Sequence, residues 1–128
     1  MQVHLGHWVR DNVPAASRIA LNDVGAIAYI SRRPVIDLMG LVTPEIIPYR
    51  RQGEAGVIRY VAERCPDFVI VFPTWFPRLT ARPDALEPIY RVRLARNLVA
   101  GGSEMVVYRL ARCAPLLAAS DAMRDMVR

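Results

Sequence analysis

One run of five residues, Phe68-Val69-Ile70-Val71-Phe72, constrains the fold more than any other part of the chain. It has no polar side chain, so a strand made from it has no face to offer to water. It directly follows a stretch in which Val57, Ile58, Val61, Ala62 and Cys65 fall at i, i+1, i+4, i+5 and i+8, while Glu54, Arg59 and Glu63 lie elsewhere. Pro66 ends that helix and Asp67 turns the chain. A helix feeding a strand buried on both faces is half of a βαβ unit and predicts a parallel pairing.

The chain upstream supplies the other half. Leu5, Trp8 and Val9 share helical spacing up to Asn12-Val13-Pro14, where the residue before proline leaves the α region. This helix opens at Met1 without a capping side chain and is expected to be the end of a longer helix in a larger membrane protein, from which the segment 1–128 comes as one α/β domain. Arg18 to Leu21 reads as a short strand, and Asn22-Asp23 as the cap of a brief helix over Val24 to Ile30. Pro34 to Leu38 reads as a second strand, followed by irregular chain through Gly40, Pro44 and Pro48. Pro73 to Pro88 holds four of the ten prolines and is expected to be a long loop. Beyond it, Tyr90, Val92 and Leu94 alternate with arginines, and Val106, Tyr108 and Leu110 alternate likewise, with Gly101-Gly102 between. Bringing these two apolar sets together requires an odd-length connection, a bulge or a longer loop. The predicted architecture is β-α-β-α-β, a mostly parallel Rossmann-like sheet, followed by a C-terminal antiparallel hairpin and a frayed tail.

Composition excludes several classes. With 53% hydrophobic residues over 128 positions the chain has ample material for a core. The longest uncharged run, Phe68 to Pro77, is ten residues with two prolines, against about 20 apolar residues for a bilayer span. The first dozen residues hold two histidines, an arginine and an aspartate, unlike a signal peptide, and the segment reads as soluble. The net charge of +5 comes from 17 basic residues that are all arginine. Only Arg32-Arg33 and Arg50-Arg51 are adjacent, which is not the clustering of a nucleic-acid footprint. A GC-rich genome gives the same bias toward arginine, and a basic surface favours an anionic neighbour such as lipid headgroups or a pyrophosphate. Cys65 and Cys113 lack metal or redox spacing; the default reading is two buried thiols, and the alternative is a disulfide, which needs their Cα atoms within about 7 Å.

Candidate site residues are few. Asp23 and Asp37 fall near the C-terminal ends of the first two strands, where open α/β sheets place ligands. Two carboxylates there suit sugar hydroxyls, a cation, or acid and base roles; the plainer reading is a helix cap for Asp23 and an arginine partner for Asp37. Trp75 and Phe76, between prolines, suit stacking on a sugar ring or folding back over the core. Gly25 reads as a close helix–strand approach, and Gly40 as a turn with positive φ. No G-x-G-x-x-G or Walker sequence occurs, and His4 with His7 is one ligand short of a zinc site. Neither a cofactor, a metal nor a catalytic residue is expected.

The stretches Trp8 to Pro14 (WVRDNVP), Arg18 to Tyr29 (RIALNDVGAIAY) and Val35 to Val42 (VIDLMGLV) with Pro44-Glu45 occur in order and close together. In this they resemble the C-terminal soluble extracytoplasmic domain of polytopic membrane glycosyltransferases of the GT-C class, nearest the mannosyl- and arabinofuranosyltransferase-like members. The likeness covers residues 8–49 well, with a looser fit at Pro66-Asp67 and Met105 to Arg109. It implies sugar transfer from a polyprenyl-phosphate donor outside the cytoplasm, with the catalytic acid in a membrane loop that this chain lacks. The candidate ligand set is Asp23 and Asp37 with Gly25 beside them, Tyr29, and Trp75 on the loop above.

Two readings follow. In one, the chain is a non-catalytic module that packs on the membrane domain of its own parent and helps to position a glycan acceptor or a polyprenyl-phosphate sugar, near an anionic membrane surface and without nucleic acid. In the other, it is a free-standing small α/β enzyme or ligand-binding protein that uses an Asp23/Asp37 cleft.

Overall fold

A computed structural model describes residues 1–40, 43–93 and 104–116. Helix α1 (Gln2–Asn12) leads to strand β1 (Ile19–Leu21), helix α2 (Gly25–Ser31) and strand β2 (Val35–Asp37). A 3₁₀ turn (Pro44–Ile46) runs into α3 (Ile47–Arg50), followed by α4 (Glu54–Arg64) and β3 (Phe68–Val71). A second 3₁₀ turn (Pro73–Trp75), α5 (Pro77–Thr80), β4 (Leu86–Arg93) and β5 (Glu104–Leu110) complete the described chain.

The strands form one sheet in the order β2-β1-β3-β5-β4. It is α/β, but not the mostly parallel Rossmann-like sheet that the β3 run suggested. β1 lies parallel to β2 and to β3, with three registered pairs in each ladder. β5 lies antiparallel to β3 over four pairs and to β4 over seven, so antiparallel pairing predominates. An apolar strand must be flanked on both edges and covered on both faces, but either direction of neighbour achieves that. β3 has one neighbour of each kind.

Helices cover the two faces. On one, Leu5 and Val9 of α1 and Ile27 of α2 pack on Leu21, Ile70, Phe72 and Val107. On the other, Val57, Ile58 and Val61 of α4 and Ile46 pack on Ala20, Val69, Val71 and Val106. The helix expected before Pro66 is present as α4, with Val57, Ile58, Val61 and Ala62 buried as their spacing required, but Cys65, the fifth residue of that stripe, lies outside the helix and is exposed. Behind it, the Tyr60 hydroxyl donates to Glu45 Oε1 at 3.1 Å, and burial pushes this phenol's pKa up.

Several expectations are corrected. The segment 73–88 is not one long loop: it holds a 3₁₀ turn, α5 and the start of β4, with Pro88 inside the strand. β4 is an edge strand, where a missing N–H need not break a ladder, and its register shifts between Pro88 and Tyr90. β5 is not half-exposed. Inserted between β3 and β4, it buries Met105, Val106, Val107 and Tyr108 in succession. Tyr90 and Val92 therefore pair with Val107 and Met105 rather than joining Val106 and Tyr108, and the argument for an odd-length connection lapses. Leu94, Gly101-Gly102 and the tail beyond residue 116 lie outside the described residues.

The cysteines take the alternative of a disulfide rather than the default of two buried thiols. They are joined, with Cα atoms 5.9 Å apart and a sequence separation of 48. Because Pro66 bars the α region to its predecessor, α4 stops at Arg64 and Cys65 turns into the left-handed region at φ 46°. That takes it off the apolar stripe. The Leu110 N–H donates to the Asp67 carbonyl, which brings the chain after β5 beside Cys65.

Candidate functional site

A groove of about 330 Å³ opens beyond the C-terminal ends of β2 and β3. Its walls come from the turn after β2 (Met39), the end of α3 (Arg50), the first turns of α4 (Gly53, Glu54, Val57) and the turn after β3 (Trp75, Phe76). This is the edge where parallel strands deliver ligand-facing loops.

Each wall has a local cause. The Asp37 Oδ1 accepts the Met39 N–H at 2.8 Å, and the Asp37 N–H donates to Thr43 Oγ1 at 3.0 Å. Those bonds fold the turn through Gly40, whose φ of 84° is the positive value its sequence position suggested. Arg50 Nη1 then donates to the Met39 carbonyl at 2.8 Å, which holds the guanidinium stem against the groove. Glu54 Oε2 accepts the N–H groups of Arg78 and Leu79 at 2.7 and 2.8 Å. The carboxylate thus satisfies the open N-terminus of α5 and anchors the loop that carries Trp75.

Trp75 and Phe76, taken together in the sequence, part company here. Phe76 joins the core, while Trp75 keeps 42% of its surface exposed with its ring 5.1 Å from Phe72. An indole with 42% of its surface exposed, next to a guanidinium, suits the C–H face of a sugar, with the guanidinium as donor to its hydroxyls.

The other residues of the expected ligand set do not gather at this groove. Asp37 has no exposed surface to offer a ligand; its role is to hold the Met39 turn. Asp23 accepts a hydrogen bond at 2.7 Å from Gln2 Nε2, fastening α1 rather than capping α2. Helix α2 has Val24 as its N-cap and no side-chain cap. Asn22 instead reaches across the sheet, its Oδ1 accepting the Phe72 N–H at 2.9 Å. Gly25 makes no close approach, since a Cβ there would meet open space. Tight helix contacts lie instead at Gly6, where a Cβ would be 2.9 Å from the Ile30 Cβ, and at Gly56, where it would run into the Tyr49 carbonyl. Tyr29 is 85% exposed and lines a different groove, between α1 and α2. His4 and His7 separate as well: His4 Nε2 bonds the Tyr90 hydroxyl, and His7 lines the α1/α2 groove.

Arg50, Gly53 and Glu54 were missed by sequence reasoning. The proline-rich segment before α4 gave no sign that α3 would fold Arg50 back toward Met39. The available signal was the adjacent Arg50-Arg51 pair, one residue removed from Gly53.

No curated protein and no solved structure matches the chain. Residues 1–111, from α1 through the end of β5, match the family described as Domain of unknown function (DUF8728). The chain belongs to the DUF8728 family.

Proposed function

We propose that this domain is a non-catalytic, extracytoplasmic module of a membrane glycosyltransferase that uses a polyprenyl-phosphate sugar, and that its Trp75 groove contacts the glycan being extended. The observation that carries the binding role is the exposed indole beside Arg50, in a groove whose lining carboxylate, Glu54, is committed to the N–H groups of Arg78 and Leu79. That chemistry holds a sugar; it does not move a proton. The wider reading rests on the sequence stretches that resemble the glycosyltransferase domains, and Trp8 and Glu45 within them make structural contacts. Trp8 stacks on Tyr90 with centroids 4.4 Å apart, and Glu45 receives Tyr60. The Cys65–Cys113 bond supports the location, since disulfides persist in oxidising compartments. Among the described residues no helix is long and apolar enough to cross a membrane, so the reading assigns anchoring to other parts of the parent.

The purified chain is expected to give no sugar transfer from a polyprenyl-phosphate mannose or arabinofuranose to an oligosaccharide acceptor. Product formation that Asp23→Asn abolishes would contradict this and would favour the free-standing enzyme.

A further inference from the structure

The second groove, about 450 Å³ between α1 and α2, has a different character. Arg10 and His7 come from α1, and Tyr29, Arg32 and Arg33 come from α2 and its end. Val3, His7 and Arg10 stand at i, i+4 and i+7 and so share one stripe of α1. Val3 and Tyr29 are the two most exposed large hydrophobic residues among those described, at 55% and 85%. An aromatic as exposed as Tyr29, lining a groove with Arg10, Arg32 and Arg33, is unusual for a face that meets only water.

The arginines differ in what occupies them. Arg33 is spent on structure: it donates to the carbonyls of Arg10, Val13 and Ser31, closing the C-terminal ends of both helices. Arg10 shares Asp11, itself exposed, at 3.1 Å. Arg32, in the left-handed cap position at φ 54°, is exposed and has no ion pair among the described residues. The face therefore keeps a positive excess, with an amphipathic ring at its centre.

We infer that the α1/α2 face, with Tyr29 and Arg32 at its centre, docks on an anionic membrane surface. Tyrosine favours the headgroup level of a bilayer, where its ring meets acyl chains and its hydroxyl stays wet. Arginines around it meet lipid phosphates, each strengthening binding about fivefold. The groove is open and its lining mixed, which suits many headgroups in a plane better than one enclosed anion. This inference rests on the membrane-anchored reading above, but its test needs neither the parent protein nor a sugar.

The test is co-sedimentation of the whole chain with vesicles of phosphatidylcholine alone and of phosphatidylcholine mixed with phosphatidylglycerol. Binding is expected only to the mixed vesicles and to weaken with salt. Arg32→Gln should lower partition about fivefold, and Tyr29→Ser should lower it too, without a change in melting temperature, because both side chains are exposed. Arg78→Gln, on α5, should leave partition unchanged. Equal binding to neutral vesicles, or no loss in either variant, would overturn the inference. So would chemical-shift changes at Arg32 with inorganic pyrophosphate in the absence of vesicle binding, which would assign the groove to a soluble anion.

Discussion

Val61→Asp should unfold the domain at neutral pH. Val61 is 1% exposed, in the third turn of α4, and packs within the cluster that joins this helix to the sheet. A carboxylate there would be unpaired in an apolar setting, at a cost of about 3–5 kcal/mol, a large share of the 5–15 kcal/mol typical of a whole domain. The pH dependence has a definite sign. Burial raises the folded-state pKa of the introduced acid above its unfolded value of about 3.9. Below that value both states are protonated and only the shape and polarity cost remains. As pH rises above it the unfolded state releases its proton first, and the variant loses about 1.4 kcal/mol per pH unit relative to its parent until the folded acid also ionises. Chemical denaturation at acidic and neutral pH measures this. A variant that melts within a few degrees of the parent at neutral pH would refute the packing of α4.

Cys113→Ser should cost almost as much. The bond links positions with a sequence separation of 48, and closing a loop of that size removes unfolded-state freedom equivalent to about 4 kcal/mol. Its placement increases the effect. Cys65 ends α4 and Cys113 lies just beyond β5, so the bond clamps the main helix to the strand between β3 and β4. Denaturation of the parent with and without a reductant, and of the serine variant, should show one common loss. Coincident transitions in all three would mean that the bond does not contribute to the folded state.

Where the sequence was readable, one physical signal determined each element. The stripe of α4 and the polar-free β3 run each located a buried element, although the run left the direction of its neighbours open. Short strands alternating with helices predicted that β1, β2 and β3 run parallel, but neither their order nor the antiparallel majority of the sheet. What failed was reading β5 from alternation alone. Tyr108, Val106 and Leu110 do alternate with Arg109, but Val107 and Met105 are also apolar, as a strand between two others requires. The prolines of 73–88 were overread in the same way: Pro73 and Pro77 open helical turns, and Pro88 sits on a sheet edge. Cys65 illustrates a local rule that defeats a periodic one, since Pro66 removes it from a helix whose stripe it would otherwise extend. The site was legible only in part. Trp75 was visible as an aromatic between prolines, but its neighbours Arg50 and Glu54 come from elements whose mutual placement depends on the Asp37 turn, and no local pattern encodes that.

The most direct measurement is a titration of the isotopically labelled chain with mannose and arabinofuranose oligosaccharides, followed through its two indole N–H signals. Trp8 is stacked on Tyr90 at the α1 side, and Trp75 stands at the groove, so the two report on different places. The proposed function predicts that the Trp75 signal shifts together with the amides of Arg50 and Gly53, that Trp8 stays in place, and that Trp75→Ala weakens binding at least about fivefold. Shifts centred on Trp8, or no shift at Trp75 with either oligosaccharide at millimolar concentration, would contradict it.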